Sequence, residues 1–222
     1  MTTDTAATPA ERPYLPGMGH DRLLGLYDPL TRLLRVPAAH RTLIDQVDLR
    51  PGERVLEVGC GTGNLALAVK RRRPDVTVVG LDPDPRALAR AARKSRRAGV
   101  AVQWERGFAE QLPCEDGSFD HVLSALMFHH LEPDGRRQML SEVRRVLRPG
   151  GSLHLIDFGG GGGGGHAHGP LARLSRRSHR LQDNFGDRIP TLMTEAGLAD
   201  AAETGHATTR AGRLATYRAT RP

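Results

Sequence analysis

Apolar positions along the chain follow two different periods from Glu53 onward. Short continuous runs rich in Val, Leu and Ile are typical of strands buried on both faces of a parallel sheet. The predicted strands are 54–58, 76–81, 100–104, 119–126, 152–158 and 212–220. Segments with apolar residues at helical spacing lie between and after them. The predicted helices are 64–72, 84–99, 133–147, 171–181 and 188–197. Strands that alternate with helices indicate an α/β fold with a doubly wound parallel sheet and helices on both faces.

The first fifty residues do not follow this alternation. Residues 1–19 are rich in Thr, Ala and Pro and are expected to form a disordered leader. Residues 20–50 carry leucines at helical spacing, which predicts a helical lid that is broken at Pro29. The α/β domain is therefore expected to occupy 51–222.

A glycine-rich insertion at 159–170 follows the fifth predicted strand and contains seven consecutive glycines. Ordering a glycine costs more backbone entropy than ordering any other residue, so we expect this segment to be a flexible hinge rather than a phosphate cradle. His166 and His168 close the run, but no third ligand stands near them in the sequence. No metal site is predicted there.

Composition and charge narrow the class of protein. The 222 residues fit one domain, and the two isolated cysteines favour a reducing cytoplasm. The net charge is +7, and all of the 32 basic residues except Lys70 and Lys94 are arginines. These arginines fall on the polar faces of predicted helices, so we interpret them as solvated surface rather than as a nucleic-acid footprint. Contact of the basic segment 20–40 with a membrane surface is the alternative.

The carboxyl ends of the first two predicted strands carry candidate chemistry. Gly59, Gly61 and Gly63 have the spacing GxGxG, which is neither the GxGxxG of a dinucleotide fold nor a P-loop. Such a turn exposes bare backbone at a helix N-terminus. Asp82 ends the second strand, where a carboxylate can accept hydrogen bonds from both hydroxyls of a ribose. Together the two features predict a nucleoside site.

Five segments of the chain carry a resemblance to a known family. In chain order they are "VLEVGCGTGNLAL", "GLDPDP", "AEQLPCEDGSFDHV", "FHHL" and "EVRRVLRPGGSLHLIDF". With them, residues 55–158 resemble the class I S-adenosylmethionine-dependent methyltransferases, in particular their small-molecule, ubiquinone-biosynthesis-like branch. The resemblance implies a Rossmann-like methyltransferase domain with a mostly parallel seven-stranded sheet. It implies S-adenosylmethionine as cofactor, S-adenosylhomocysteine as product, and methyl transfer by in-line displacement to a small-molecule acceptor.

The resemblance also assigns cofactor contacts. Glu57 and the glycine turn would contact the amino-acid end of the cofactor, and Asp82 its ribose. Phe108 stands where many relatives carry Asp, so either Phe108 stacks on the adenine or the neighbouring Glu110 reaches the adenine amino group. The residues after the fourth strand would line the sulfonium. The complete set is Glu57, Gly59, Cys60, Gly61, Gly63, Asp82, Pro83, Phe108, Ala109, Glu110, Ala125, Leu126 and Met127.

The acceptor side is less constrained by the sequence. A hydroxyl or an acidic carbon needs a general base, and His129 is the candidate because it follows the fourth strand. The alternatives for this histidine are a helix cap or a wall of the cofactor pocket. His20, Tyr27, His130 and Asp157 are candidate substrate residues, although Asp157 has loop orientation as its alternative role. A nucleic-acid or protein methyltransferase and a non-catalytic cofactor-binding protein are the competing hypotheses, and the oligomeric state stays open.

Overall fold

The computed structural model describes residues 36–159, 188–209 and 212–222. The predicted leader, His20 and Tyr27 of the predicted lid, and the predicted helix at 171–181 lie outside these residues. The glycine-rich insertion also lies outside them, except for Gly159.

Seven strands form a single sheet in the order β3-β2-β1-β4-β5-β7-β6. Their bounds are β1 (Arg54–Val58), β2 (Thr77–Asp82), β3 (Gln103–Arg106), β4 (Phe119–Ala125), β5 (Leu147–Phe158), β6 (Ala199–Thr209) and β7 (Gly212–Thr220). Neighbours from β3 to β5 are parallel, whereas β7 runs antiparallel to both β5 and β6. The predicted doubly wound, mostly parallel sheet is confirmed.

Helices cover both faces of this sheet. They are α1 (Val36–Asp45), α2 (Asn64–Arg72), α3 (Pro85–Ala98), α4 (Pro133–Val146) and α5 (Arg188–Glu195), and a 3₁₀ turn spans Phe128–His130. Helices α1 and α2 bury residues such as Leu43 and Val69 in one core. Helices α4 and α5 bury Leu140 and Met193 in a second core on the other face. Because both faces are covered, the central strands read as continuous apolar runs.

Helix α3 illustrates how local chemistry sets the bounds of an element. The Asp84 carboxylate accepts a hydrogen bond of 2.8 Å from the Arg86 N–H, and Pro85 occupies the first helical position. Gly99 ends the helix with φ 64°, in the left-handed region that favours glycine. These ends are the ones predicted from the sequence.

Two strand predictions were wrong in their bounds by more than one residue. The third strand occupies 103–106 rather than 100–104, because Val100 is held at the end of α3 by hydrogen bonds with Ser95. Strand β5 begins at 147 rather than 152.

One strand, β6, was missed as a strand in its own right. Its sequence, "ADAAETGHATT", lacks apolar alternation. As an edge strand that pairs only with β7, it needs little apolar surface.

Candidate cofactor and acceptor site

The glycine turn lies at the carboxyl edge of the sheet, directly after β1. Gly59, Gly61 and Gly63 have φ values of 74°, 52° and 75°, which glycine adopts without strain. The N–H groups of Gly59 and Cys60 both donate to the Leu81 carbonyl, at 2.8 and 2.9 Å, and thereby tie the turn to β2. A Cβ atom built on Gly61 would meet no atom of the residues that the structure describes within 4 Å. The turn therefore presents open space over bare backbone, as a ligand cradle requires.

Met127 explains why the first glycine of the turn has no side chain. A Cβ atom on Gly59 would lie 2.3 Å from Met127 Cγ. The side chain that follows β4 therefore packs directly on the turn that follows β1. The structure brings these two predicted cofactor residues together, and the residue after Met127 begins the 3₁₀ turn that carries His129.

Two carboxyl groups flank the glycine turn. Glu57 is buried, and its Oε2 accepts a hydrogen bond of 2.7 Å from the Ala66 N–H in the first turn of α2. Asp82 accepts from Gly61 N–H at 2.7 Å with one oxygen and from Asp84 N–H at 2.9 Å with the other.

Burial raises the pKa of Glu57 to about 8 and that of Asp82 to about 6. Two carboxyl groups that titrate near neutral pH therefore adjoin the open turn. Burial also raises the pKa of the Cys60 thiol between them.

The segment predicted to contact adenine is tied to the end of β2. Gly107 N–H donates to the Asp82 carbonyl at 3.3 Å, and the Gln111 N–H donates to the Phe108 carbonyl at 3.1 Å. Ala109 is buried, whereas Phe108 is only partly so.

Two further predicted adenine residues lie beside this segment. The carboxylate of Glu110 lies beside the first turn of α4, since a Cβ atom on Gly135 would be 3.1 Å from its Oε1. Pro83 follows β2, and its carbonyl accepts a hydrogen bond from Arg106. Their contacts with a cofactor stay predictions.

The backbone after β4 is strained. Leu126 has φ 56°, a left-handed conformation that costs a residue with a side chain roughly 1–2 kcal/mol. Its N–H donates to the Ile156 carbonyl at 2.8 Å, which holds the chain in this conformation. Strain of this kind clusters at functional sites. Leu126 and its half-buried neighbour Ala125 were both predicted cofactor residues.

His129 and Asp157 form a hydrogen-bonded pair between the ends of β4 and β5. The Asp157 side chain is fully buried, and its Oδ1 lies 2.6 Å from His129 Nδ1. Its Oδ2 accepts from the His129 backbone N–H at 3.0 Å. Because a carboxylate only accepts, Nδ1–H donates to Asp157, and in the neutral imidazole Nε2 carries the lone pair. The His129 side chain keeps 15% exposure, and Nε2 has no partner among the described residues.

Aromatic rings complete the surroundings of this pair. The His130 ring lies 4.1 Å from the His129 ring between centroids, and Phe158 meets His129 edge-on at 5.2 Å. Phe158 was not among the predicted site residues, and its only signal in the sequence was its position directly after Asp157. Of the predicted substrate residues, the structure brings His130 and Asp157 to His129.

Two kinds of site do not occur in the described part of the chain. Residues 36–159, 188–209 and 212–222 contain no group of His, Cys, Asp and Glu that could hold a metal ion. None of the helices described in those ranges is long and apolar enough to cross a membrane.

Comparisons with known proteins concern mainly the middle of the chain. Residues 55–151 match the methyltransferase domain family. Over 135 residues the chain is 40% identical to a demethylmenaquinone methyltransferase of Thermus thermophilus, covering 60% of each protein. It is 38% identical over 118 residues to the 27-O-demethylrifamycin SV methyltransferase of Amycolatopsis mediterranei, covering 52% of this chain and 42% of that protein. The chain thus spans about 60% or less of the length of these relatives.

Solved structures resemble the whole fold. The YcgJ protein of Bacillus subtilis aligns with a TM-score of 0.66 at 18% identity, covering 83% of this chain and 98% of that one. The [4+2]-cyclase SpnF aligns with a TM-score of 0.69 at 20% identity, covering 83% and 80%. At this identity the likeness concerns the fold alone. The Rossmann-like fold and the resemblance to class I methyltransferases are confirmed, the latter over the residues that match the methyltransferase domain family.

Proposed function

We propose that this chain transfers a methyl group from S-adenosylmethionine to a small-molecule acceptor, with His129 as general base. The observation that carries the proposal is the junction of two features at one edge of the sheet. The open glycine turn packs against Met127, and His129 stands two residues further along with its imidazole fixed by Asp157.

The residues of the turn fit the cofactor by their chemistry. Gly61 leaves open space over backbone that a side chain would fill, and Asp82 presents carboxylate oxygens beside it. Glu57 and Asp82 supply negative charge when deprotonated, which suits a ligand with ammonium and sulfonium groups. The bound cofactor would supply an already activated methyl group, so the protein needs mainly to orient the acceptor and exclude water.

The acceptor chemistry follows from the His129–Asp157 pair. With Nδ1–H donated to Asp157, Nε2 can take a proton from an acceptor hydroxyl or from an acidic carbon. The fully buried carboxylate stabilises the imidazolium that this proton transfer creates. The two named relatives act on demethylmenaquinone and on 27-O-demethylrifamycin SV, which supports an organic small-molecule acceptor here.

The cofactor part is tested by calorimetry with S-adenosylmethionine and S-adenosylhomocysteine. We expect micromolar-range binding to the wild type. Asp82→Ala should bind at least about tenfold more weakly, because a hydrogen bond to a charged group contributes roughly 1.5–3 kcal/mol. Asp75→Ala, which removes an exposed carboxylate paired with Arg73, is the matched control and should bind normally. Absence of heat from the wild type would refute the proposal.

The transfer part is tested with methyl-labelled S-adenosylmethionine and a panel of phenols, hydroquinones and aliphatic alcohols. Label in the organic product is expected with at least one hydroxylated acceptor. Cofactor binding without any transfer to the panel would instead support the non-catalytic hypothesis.

A further inference from the structure

Trp104, the only tryptophan of the chain, lies outside every motif that predicted the cofactor site. It belongs to the edge strand β3 and pairs with Gly80 of β2. Its strand neighbours are exposed, whereas Trp104 itself is partly buried against the core under α1 and α2. The indole therefore lies on the same face of the sheet as α2.

The indole ring is in contact with the backbone at two glycines. A Cβ atom on Gly80 would lie 2.5 Å from Cζ3 of the ring, and one on Gly63 would lie 2.4 Å from Cη2. Both distances are shorter than real Cβ contacts, so neither position has room for a side chain beside the indole. The third glycine of the GxGxG turn is thus required by Trp104 as well as by its own φ of 75°.

These two glycines belong to the two elements that would hold the cofactor. Gly63 closes the turn and is the N-cap of α2. Gly80 lies in β2 two residues before Asp82, and the Cys60 sulfur of the turn lies 3.1 Å from where its Cβ would be. One rigid ring therefore sets the spacing between the turn and the strand that carries Asp82.

The shape of the ring, rather than its polar atom, accounts for this contact. The indole Nε1 is buried and has no hydrogen-bond partner among the described residues. An unpaired buried donor is destabilising, so the N–H does not contribute to holding the turn.

We propose that Trp104 is a positioning residue for the cofactor, which holds the glycine turn and the Asp82 strand at the separation that S-adenosylmethionine requires. The inference rests on the proposed function for the identity of the cofactor. Phenylalanine is shorter than tryptophan and leucine is smaller still, so both leave space beneath Gly63.

The test measures the dissociation constant of S-adenosylmethionine by calorimetry. We expect Trp104→Leu to bind about tenfold more weakly, a change equivalent to about 1.4 kcal/mol, with Trp104→Phe between it and the wild type. Leu198→Ala removes a buried side chain from the opposite core and is the control for lost stability. It should lower the thermal midpoint while leaving cofactor affinity unchanged. Unchanged affinity in Trp104→Leu, or an equal loss in Leu198→Ala, would overturn the inference.

A double-mutant cycle keeps the inference testable even if single variants lose stability. Gly80→Ala should impair cofactor binding strongly in the wild type and much less in a Trp104→Leu background, where the added methyl has space. Additive effects would contradict the contact. In the wild type, the emission of the single tryptophan should change on saturation with cofactor. A wild type that binds no cofactor refutes the proposed function, whereas binding with unchanged emission and affinities refutes only the role of Trp104.

Discussion

Two histidine–carboxylate pairs lie at opposite edges of the same sheet. At the carboxyl edge, Asp157 holds His129 at 2.6 Å. At the other edge, Glu53 holds His121 at 3.0 Å through Nε2. The side chains of the two histidines have similar exposure, 15% for His129 and 13% for His121. By composition and burial alone the pairs look equivalent.

Their hydrogen bonds distinguish them. The second nitrogen of His121 lies 2.8 Å from Ser152 Oγ, which in turn lies 2.9 Å from His154 Nε2. Both nitrogens of His121 are therefore occupied, whereas Nε2 of His129 has no partner within the described ranges. Glu53 also pairs with Arg148, at 3.5 Å between Oε1 and Nη2.

We infer from this difference that a histidine held by a carboxylate can act as a base only where its second nitrogen stays available. At the carboxyl edge, the loops after the parallel strands leave such space. At the opposite edge, the same residue types form hydrogen bonds that link the region of β1, β4 and β5.

The largest expected effect contrasts the two histidines directly. His129→Gln should lower kcat by roughly 10²–10⁴-fold, the usual contribution of a general base, while cofactor affinity stays unchanged. His121→Gln should leave kcat within a few-fold and lower the thermal midpoint instead. Labelled-methyl transfer and thermal unfolding on both variants measure this. A comparable loss of kcat in both would break the distinction between the edges.

A smaller effect is expected from Asp157, the carboxylate that holds His129. Asp157→Asn keeps the shape of the side chain but no longer stabilises a protonated His129. We expect kcat to fall by roughly 10–100-fold, the loss that is typical when the group that orients a metal-bound histidine is replaced. The pH–rate profile should move with it, which a purely structural role would not cause. An unchanged profile would assign Asp157 to packing alone.

The affinity for the cofactor at the carboxyl edge of the sheet should depend on pH. Burial raises the pKa of Glu57 to about 8 and that of Asp82 to about 6, so both become charged as pH rises. Affinity for cationic S-adenosylmethionine should increase between pH 6 and 8 by up to about tenfold per pH unit.

Glu57→Gln is the matched variant, because its side-chain carbonyl can still accept from Ala66. It should flatten the rise in affinity above pH 6. The stability of the ligand-free protein should depend on pH in the opposite direction. A raised carboxyl pKa stabilises the fold at low pH, and that contribution is lost as pH rises towards 8. Steep pH dependence persisting in Glu57→Gln would contradict the assignment.

The smallest expected effect concerns acid stability at the opposite edge. Burial lowers the pKa of His154 to about 3, so the unfolded chain binds a proton between pH 6.5 and 3 that the folded chain does not. The contribution of His154 to stability should therefore fall as pH drops through this window, by up to about 1.4 kcal/mol per pH unit, in the direction opposite to that of Glu57. Urea unfolding at pH 7 and pH 5 measures the change. His154→Gln should reduce it, whereas His206→Gln, an exposed position, should not.

Local chemistry made a large part of this molecule predictable. The end residues of α3, the glycine turn after β1 and the acid that ends β2 all depend on hydrogen bonds or backbone angles within a few residues. The continuous apolar strands indicated a parallel sheet covered on both faces, because a strand carries apolar residues at every position when both of its faces are buried.

Tertiary structure decided the pairings between distant parts of the chain. His129 and Asp157 are 28 residues apart and meet only because β4 and β5 are parallel neighbours. The indole of Trp104 meets Gly63 only because β3 lies beside β2. Which residues stand at the strand ends was predictable from the sequence alone, because the end of a strand depends on residues close by in the chain. Which histidine keeps an available nitrogen was decided by the assembled sheet, because hydrogen-bond partners there come from separate strands.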